Sequence, residues 1–144
     1  MTVIYQDLGL KNIISSLDKL ENDKLEVGIF DGKNATIGLF QEFGTKRGIP
    51  ESPFLRSSLR GSQLKKLKRQ IVKELRFFYK SKGSYIFLDN LGKFQVDNIT
   101  KAIVGKSWQG YKPNKKSTEK RKGFNHRLID KAILINSIDY RVIK

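Results

Sequence analysis

The chain contains no cysteine and only one histidine, His126. It therefore has no disulfide and no thiolate metal ligand, and a site built on two imidazoles is excluded. No apolar run approaches the roughly 20 residues that span a bilayer. The opening MTVIYQDLGL lacks the basic and apolar regions of a signal peptide, so assembly in a cytoplasm, without a membrane, is expected. Glycine pairs occur, but not the spacing of a phosphate-cradling loop. Asp89, Asp97, Glu119, Asp130 and Asp139 are scattered and do not fall at metal-ligand spacing. His126 has no nucleophile placed near it by a motif. This inventory points away from enzymatic activity, and no cofactor or metal is expected.

What is present is positive charge. The 144 residues carry 29 Lys/Arg against 14 Asp/Glu, a net charge of +15. Residues 1–72 hold 12 basic and 8 acidic side chains, and residues 73–144 hold 17 and 6. A basic half suits an anionic partner, either nucleic acid or an acidic protein surface, although lysine is also common as solvated surface. The length fits one domain, residues 1–144, with its own core.

Residues 7–21 read as an amphipathic helix with Leu10, Ile13, Ile14, Leu17 and Leu20 at helical spacing and Asp7 as cap. Lys24–Phe30 alternates as a strand, followed by a turn at Asp31-Gly32. A second helix is expected over 34–43, with Ile37, Phe40 and Phe43 inward and Gly44 as its stop. Ser52 as N-cap and Pro53 at the first position open a long helix from Phe54 to about Lys80, bent or interrupted at Gly61. Its stripe is Leu64, Leu67, Ile71, Leu75 and Phe78, with Lys65, Lys66, Lys68, Arg69, Lys73 and Arg76 mostly off it. Residues 85–88 suggest a short extended piece. Residues 89–105 read as a helix with Leu91, Gln95, Ile99, Ala102 and Ile103 on one side. A short helix near 128–135 and a strand over 137–143 close the chain. The expected class is α+β: a small antiparallel sheet packed by a long central helix and shorter N- and C-terminal helices. Open sheet edges favour pairing with another subunit.

Two segments remain. Gln41–Arg56, QEFGTKRGIPESPFLR, is stiffened by Pro50 and Pro53 and carries Phe43 and Phe54 near its ends. A rigid loop with aromatic ends suits a protein–protein contact, and the rings equally suit the chain's own core. Residues 106–127 read as a long mobile basic loop. There Lys112, Lys115, Lys116, Lys120, Arg121, Lys122 and Arg127 are interleaved with Trp108, Tyr111 and Phe124. Such a loop can track phosphates and stack on bases, which leaves a small basic DNA-binding protein as the alternative.

The blocks VGIF-DG, IGLFQEFGT and GIPESPFLRSSL, followed by PNKKSTEKRKG and LIDKAILINSIDYRV, resemble in order the head–tail joining or tail-completion (neck) proteins of long-tailed double-stranded-DNA bacteriophages. The first block is matched at Glu42, Phe43, Gly44, Thr45, Ile49, Pro50, Pro53, Phe54, Leu55 and Arg56. The second is matched at Pro113, Asn114, Ser117 or Thr118, Lys122, Gly123, Leu128, Ile129, Asp130, Leu134, Ser137, Ile138, Tyr140 and Val142. Ser52 stands where the family usually has Arg. Lys131-Ala132 replaces Thr-Gly, so a continued helix is expected before Leu134. The resemblance implies a non-catalytic virion protein, assembled as a homo-oligomeric ring, hexameric or dodecameric. The ring would lie between portal or connector and tail tube and touch connector, terminator or tail-tube proteins. Non-specific contact with the phage DNA is also implied. The implied subunit-interface residues are Glu42, Phe43, Gly44, Thr45, Ile49, Pro50, Pro53, Phe54 and Arg56, with the seven cations of the basic loop as further contacts.

Overall fold

A computed structural model of the chain describes residues 9–83, 86–107, 111–129 and 132–144. The elements run α1 (Leu10–Asn22), β1 (Lys24–Ile29), α2 (Gly32–Phe43), α3 (Phe54–Ser57), α4 (Gly61–Lys80), α5 (Phe87–Val104), α6 (Lys116–Lys122), α7 (Ile133–Asn136) and β2 (Ile138–Ile143). The class is α+β, as the sequence predicts.

The second and last elements of the chain form the sheet. β1 and β2 pair antiparallel, with Leu25 opposite Val142, Val27 opposite Tyr140 and Ile29 opposite Ile138. These apolar pairs share one face because side chains alternate along a strand. The other face carries Ile143 opposite Lys24 and an exposed ion pair between Arg141 and Glu26 at 2.7 Å. Each strand keeps one edge unpaired among the described residues.

α5 is the central helix. Leu91, Gln95, Ile99, Ala102 and Ile103 are all buried, the face predicted from their spacing. It lies so close to the sheet that a Cβ on Gly92 would sit 2.2 Å from the Tyr140 ring. Ile99 and Ile103 meet Phe54, Leu128, Leu134 and Ile138 in the core. On the other side α5 packs against α4. Phe78 and Phe87 meet edge-on at 6.4 Å, and the buried Glu74 carboxylate accepts from Gln70 Nε2 and Asn90 Nδ2 at 2.6 and 2.8 Å.

Several expectations are corrected. The helix over 54–80 is interrupted at Gly61, as the sequence allowed, and is two helices. Arg60 is extended and Gly61 has φ +51°, a left-handed value that glycine adopts without strain, so the chain reorients between α3 and α4. The buried side of α4 includes Gln63, Glu74 and Phe78, while Leu75 is exposed. The turn expected at Asp31-Gly32 is a helix start: Asp31 caps α2 by accepting from Asn34 N at 3.4 Å, and Gly32 is its first residue, without a positive φ. α2 presents Gly38 and Glu42 to the interior, leaving Ile37, Phe40 and Phe43 exposed. In α1 Leu10, Ile14 and Leu17 are exposed too, and the helix is tied down by Ser16 Oγ donating to Gly83 O at 2.8 Å. The proposed cap Asp7 lies outside the described residues. α5 begins at Phe87, where an extended piece was expected; Tyr85 is outside the described residues. Finally, no helix runs through to Leu134. Ala132 takes φ +57°, so the left-handed turn is kept without a glycine, and α7 starts only after it.

Candidate interface groove

The proline segment closes on itself through Glu42. This side chain is 3% exposed at the inner face of α2. Its carboxylate accepts from the backbone N–H groups of Leu55 and Arg56, both at 3.0 Å, and from Arg56 Nε at 2.9 Å. It therefore satisfies the free amides at the start of α3, the role the sequence assigned to Ser52. Ser52 is fully buried and its Oγ has no partner among the described residues. Arg56 returns a bond from Nη2 to Glu42 O at 3.0 Å, pairs with Glu51 at 2.5 Å and lies 4.5 Å above the Phe43 ring. Bonding to the Glu42 carboxylate, then to Glu51, raises the Arg56 pKa, so the guanidinium stays charged.

Gly44 ends α2 with φ +72°, and a Cβ there would lie 2.8 Å from Ile49 O and 2.9 Å from Glu51 N. Thr45 N donates to Ile49 O at 2.8 Å, and Ile49 N donates back to Thr45 Oγ1 at 3.2 Å. The loop is thus a closed ring of local bonds. Of the nine residues predicted for contact in this block, Glu42, Gly44, Thr45, Phe54 and Arg56 hold the loop together. Pro53 is half-buried. Phe43, Ile49 and Pro50 face outward.

The basic segment is also built rather than open. Where the sequence predicts a loop, Lys116–Lys122 is helical, ending at Gly123 with φ +79°. Asn114 N donates to Asn125 Oδ1 at 2.9 Å, and Lys122 Nζ donates to Ile129 O at 2.7 Å. His126 places its two ring nitrogens 2.6 Å from Arg127 O and 3.1 Å from Val104 O, so both face backbone carbonyls. Arg127 is 4% exposed and donates from Nη2 to Pro50 O. Burial lowers its pKa, an effect partly opposed by the Tyr111 side chain. Arg127 therefore clasps the two blocks and is not a surface cation, nor is the half-buried Lys122. Lys112, Lys115, Lys116, Lys120 and Arg121 are exposed as expected.

That clasp produces a groove of about 710 Å³ between α2, the 48–50 loop and residues 113–122. Ile49 and Pro50 line it from the first block, and Lys115, Arg121, Lys122 and Arg127 line it from the second. Lys112, Lys116 and Lys120 do not. Ile37, Ile133 and Leu134 form apolar wall, and no carboxylate among the described residues lines it. Lys33, Ile37 and Asn114 were not singled out as contacts. Ile37 and Asn114 lie in the two resemblance blocks and Lys33 in neither; only the return of the chain past α2 brings the three together.

No family model, curated protein or solved structure matches this chain. The groove is read on its chemistry alone. Among the described residues there is no group of three His, Cys, Asp or Glu side chains able to hold a metal, and no helix long and apolar enough to cross a membrane. A positively charged, aliphatic-walled groove suits a protein segment.

Proposed function

We propose that this chain is a structural subunit of a phage neck or tail, a head–tail joining or tail-completion protein that forms a ring between portal or connector and tail tube. The supporting observation is the groove itself. The two sequence blocks that carry the family resemblance lie far apart in the chain and meet there through Arg127 and Pro50. Three further features fit a subunit that meets its neighbours through unlike patches: the free sheet edges, the outward side chains of α1, and Ile37, Phe40 and Phe43 on α2. The test is electron microscopy of lysates from a phage or prophage lacking this gene. DNA-filled heads and separate tails support the proposal; normally joined particles overturn it.

A second reading, nucleic-acid binding, is favoured by α4 rather than by the 112–127 segment. Lys65, Arg69, Lys73, Arg76 and Lys80 recur three or four residues apart and are exposed, without a carboxylate partner among the described residues. Neutralising these five is expected to flatten the salt dependence of DNA binding by about 4 to 5 in log–log slope, at roughly −0.9 per phosphate. Neutralising Lys112, Lys115, Lys116, Lys120 and Arg121 removes as many charges and serves as the control. Equal effects, or no binding at about 50 mM salt, remove this reading.

A further inference from the structure

α4 is turned with polar side chains inside and apolar ones outside. Its one acid, Glu74, is buried and bonded to Gln70 and Asn90, and Gln63 is buried too. Val72, Leu75 and Tyr79 are left 47%, 45% and 72% exposed among the described residues. With Lys68 they follow one another at intervals of 4, 3 and 4 residues, the spacing of a seam that packs against a second helix. Arg69 and Arg76, seven residues apart, flank this seam on one side, and Lys66, Lys73 and Lys80 lie beyond them at the same interval. These five cations are exposed, without a carboxylate partner among the described residues. On the other side of the seam Leu64 and Ile71 are half-buried. An apolar strip rimmed by charge marks a contact surface.

We infer that this seam docks an amphipathic helix of another protein, one that carries carboxylates along a flank of its aliphatic face. The aliphatic residues cover Val72, Leu75 and the Tyr79 ring, and the carboxylates pair with Arg69 and Arg76. Cations stand on one side of the seam and apolar side chains on the other, so the pairing fixes the rotation of the partner helix about its axis. A second copy of this chain does not fit. α4 carries seven Lys/Arg and a single acid, so two such helices repel. Duplex DNA fits less well, because phosphates would engage the cations and leave Val72 and Leu75 in water. The seam is separate from the groove, and the inference goes beyond the neck reading.

The experiment is a chemical-shift titration of the full-length protein with a blocked peptide of about three heptads, Leu at its seam positions and Glu at the flanking ones, and with a scrambled peptide of the same composition. The heptad peptide is expected to shift the amides of Val72, Arg76 and Tyr79, and the scrambled one to bind at least about tenfold more weakly. Val72→Gln/Leu75→Gln and Arg69→Gln/Arg76→Gln are each expected to weaken the heptad peptide at least about tenfold. Lys112→Gln/Lys116→Gln removes as many charges elsewhere and is expected to leave it unchanged. All of these side chains are exposed, so the variants are expected to fold. Equal binding of the two peptides, an equal loss in Lys112→Gln/Lys116→Gln, full binding by Val72→Gln/Leu75→Gln, shifts confined to the groove, or no binding each overturns the inference. So does a duplex DNA titration in which Val72→Gln/Leu75→Gln loses as much affinity as it does for the peptide, which would assign the strip to nucleic acid. The lysate experiment is independent: failure of the peptide leaves the neck reading standing, and normally joined particles leave the seam standing.

Discussion

Glu42 and Arg56 are bonded twice over: the Glu42 carboxylate accepts from the Arg56 side chain and backbone, and the Glu42 carbonyl accepts from Arg56 Nη2. The acid lies on the last turn of α2 and the base on α3, so the pair fixes both ends of the proline loop. Replacing Glu42 with Gln puts an N–H₂ group where an acceptor is needed and removes the charge. Glu42→Gln is expected to destabilise the fold by about 2–3 kcal/mol. Chemical denaturation at neutral pH measures this.

Phe43 and Phe54 have opposite fates. Phe54 is 1% exposed in the core, and Phe54→Ala is expected to cost about 3–5 kcal/mol. Phe43 is 58% exposed and contributes its ring to Arg56, so Phe43→Ala is expected to cost about 1 kcal/mol or less. Paired denaturation curves separate the two. Any assembly defect in Phe43→Ala then reflects a contact rather than unfolding.

The difference between those rings marks how far the sequence could be read. Where an element buries a continuous apolar face, its spacing was sufficient: the inner residues of α5, the alternation in β1 and β2, and the stop at Gly44 all stand where periodicity put them. α2 reads the other way round because two non-local demands outweigh its apolar residues. Gly38 is needed against Ile29, where a Cβ would approach Cδ1 to 2.7 Å, and Glu42 is needed by amides 13 and 14 residues later. Turning those two inward leaves Ile37 and Phe40 outside. In the candidate site, Ile49, Pro50, Lys115, Arg121, Lys122 and Arg127 were legible by motif. That Arg127 is a buried clasp was not, because its partner is a backbone carbonyl 77 residues away.

Ala132 occupies a left-handed conformation with φ +57°. A side chain pays about 1–2 kcal/mol there, partly offset in a glycine variant by the freer unfolded chain. Ala132→Gly is therefore expected to stabilise the protein by about 0.5–1 kcal/mol, seen as a higher denaturation midpoint.

The outward face of α4 sets like charges next to one another at Lys65, Arg69 and Lys73. Arg69→Glu converts both i,i+4 neighbours from repulsive to attractive pairs. It is expected to stabilise the protein by about 0.8–2 kcal/mol at low salt. Thermal melts at low and high ionic strength check this, and the gain should shrink at high salt.

The most direct measurement is complementation of a gene-deleted phage with the Lys115→Glu/Arg121→Glu variant, scored by electron microscopy. Both side chains are exposed, so the subunit is expected to fold normally. The account predicts full heads and separate tails, with few joined particles, although the subunit is soluble and folded. Wild-type numbers of joined particles would contradict the claim that this groove makes the junction.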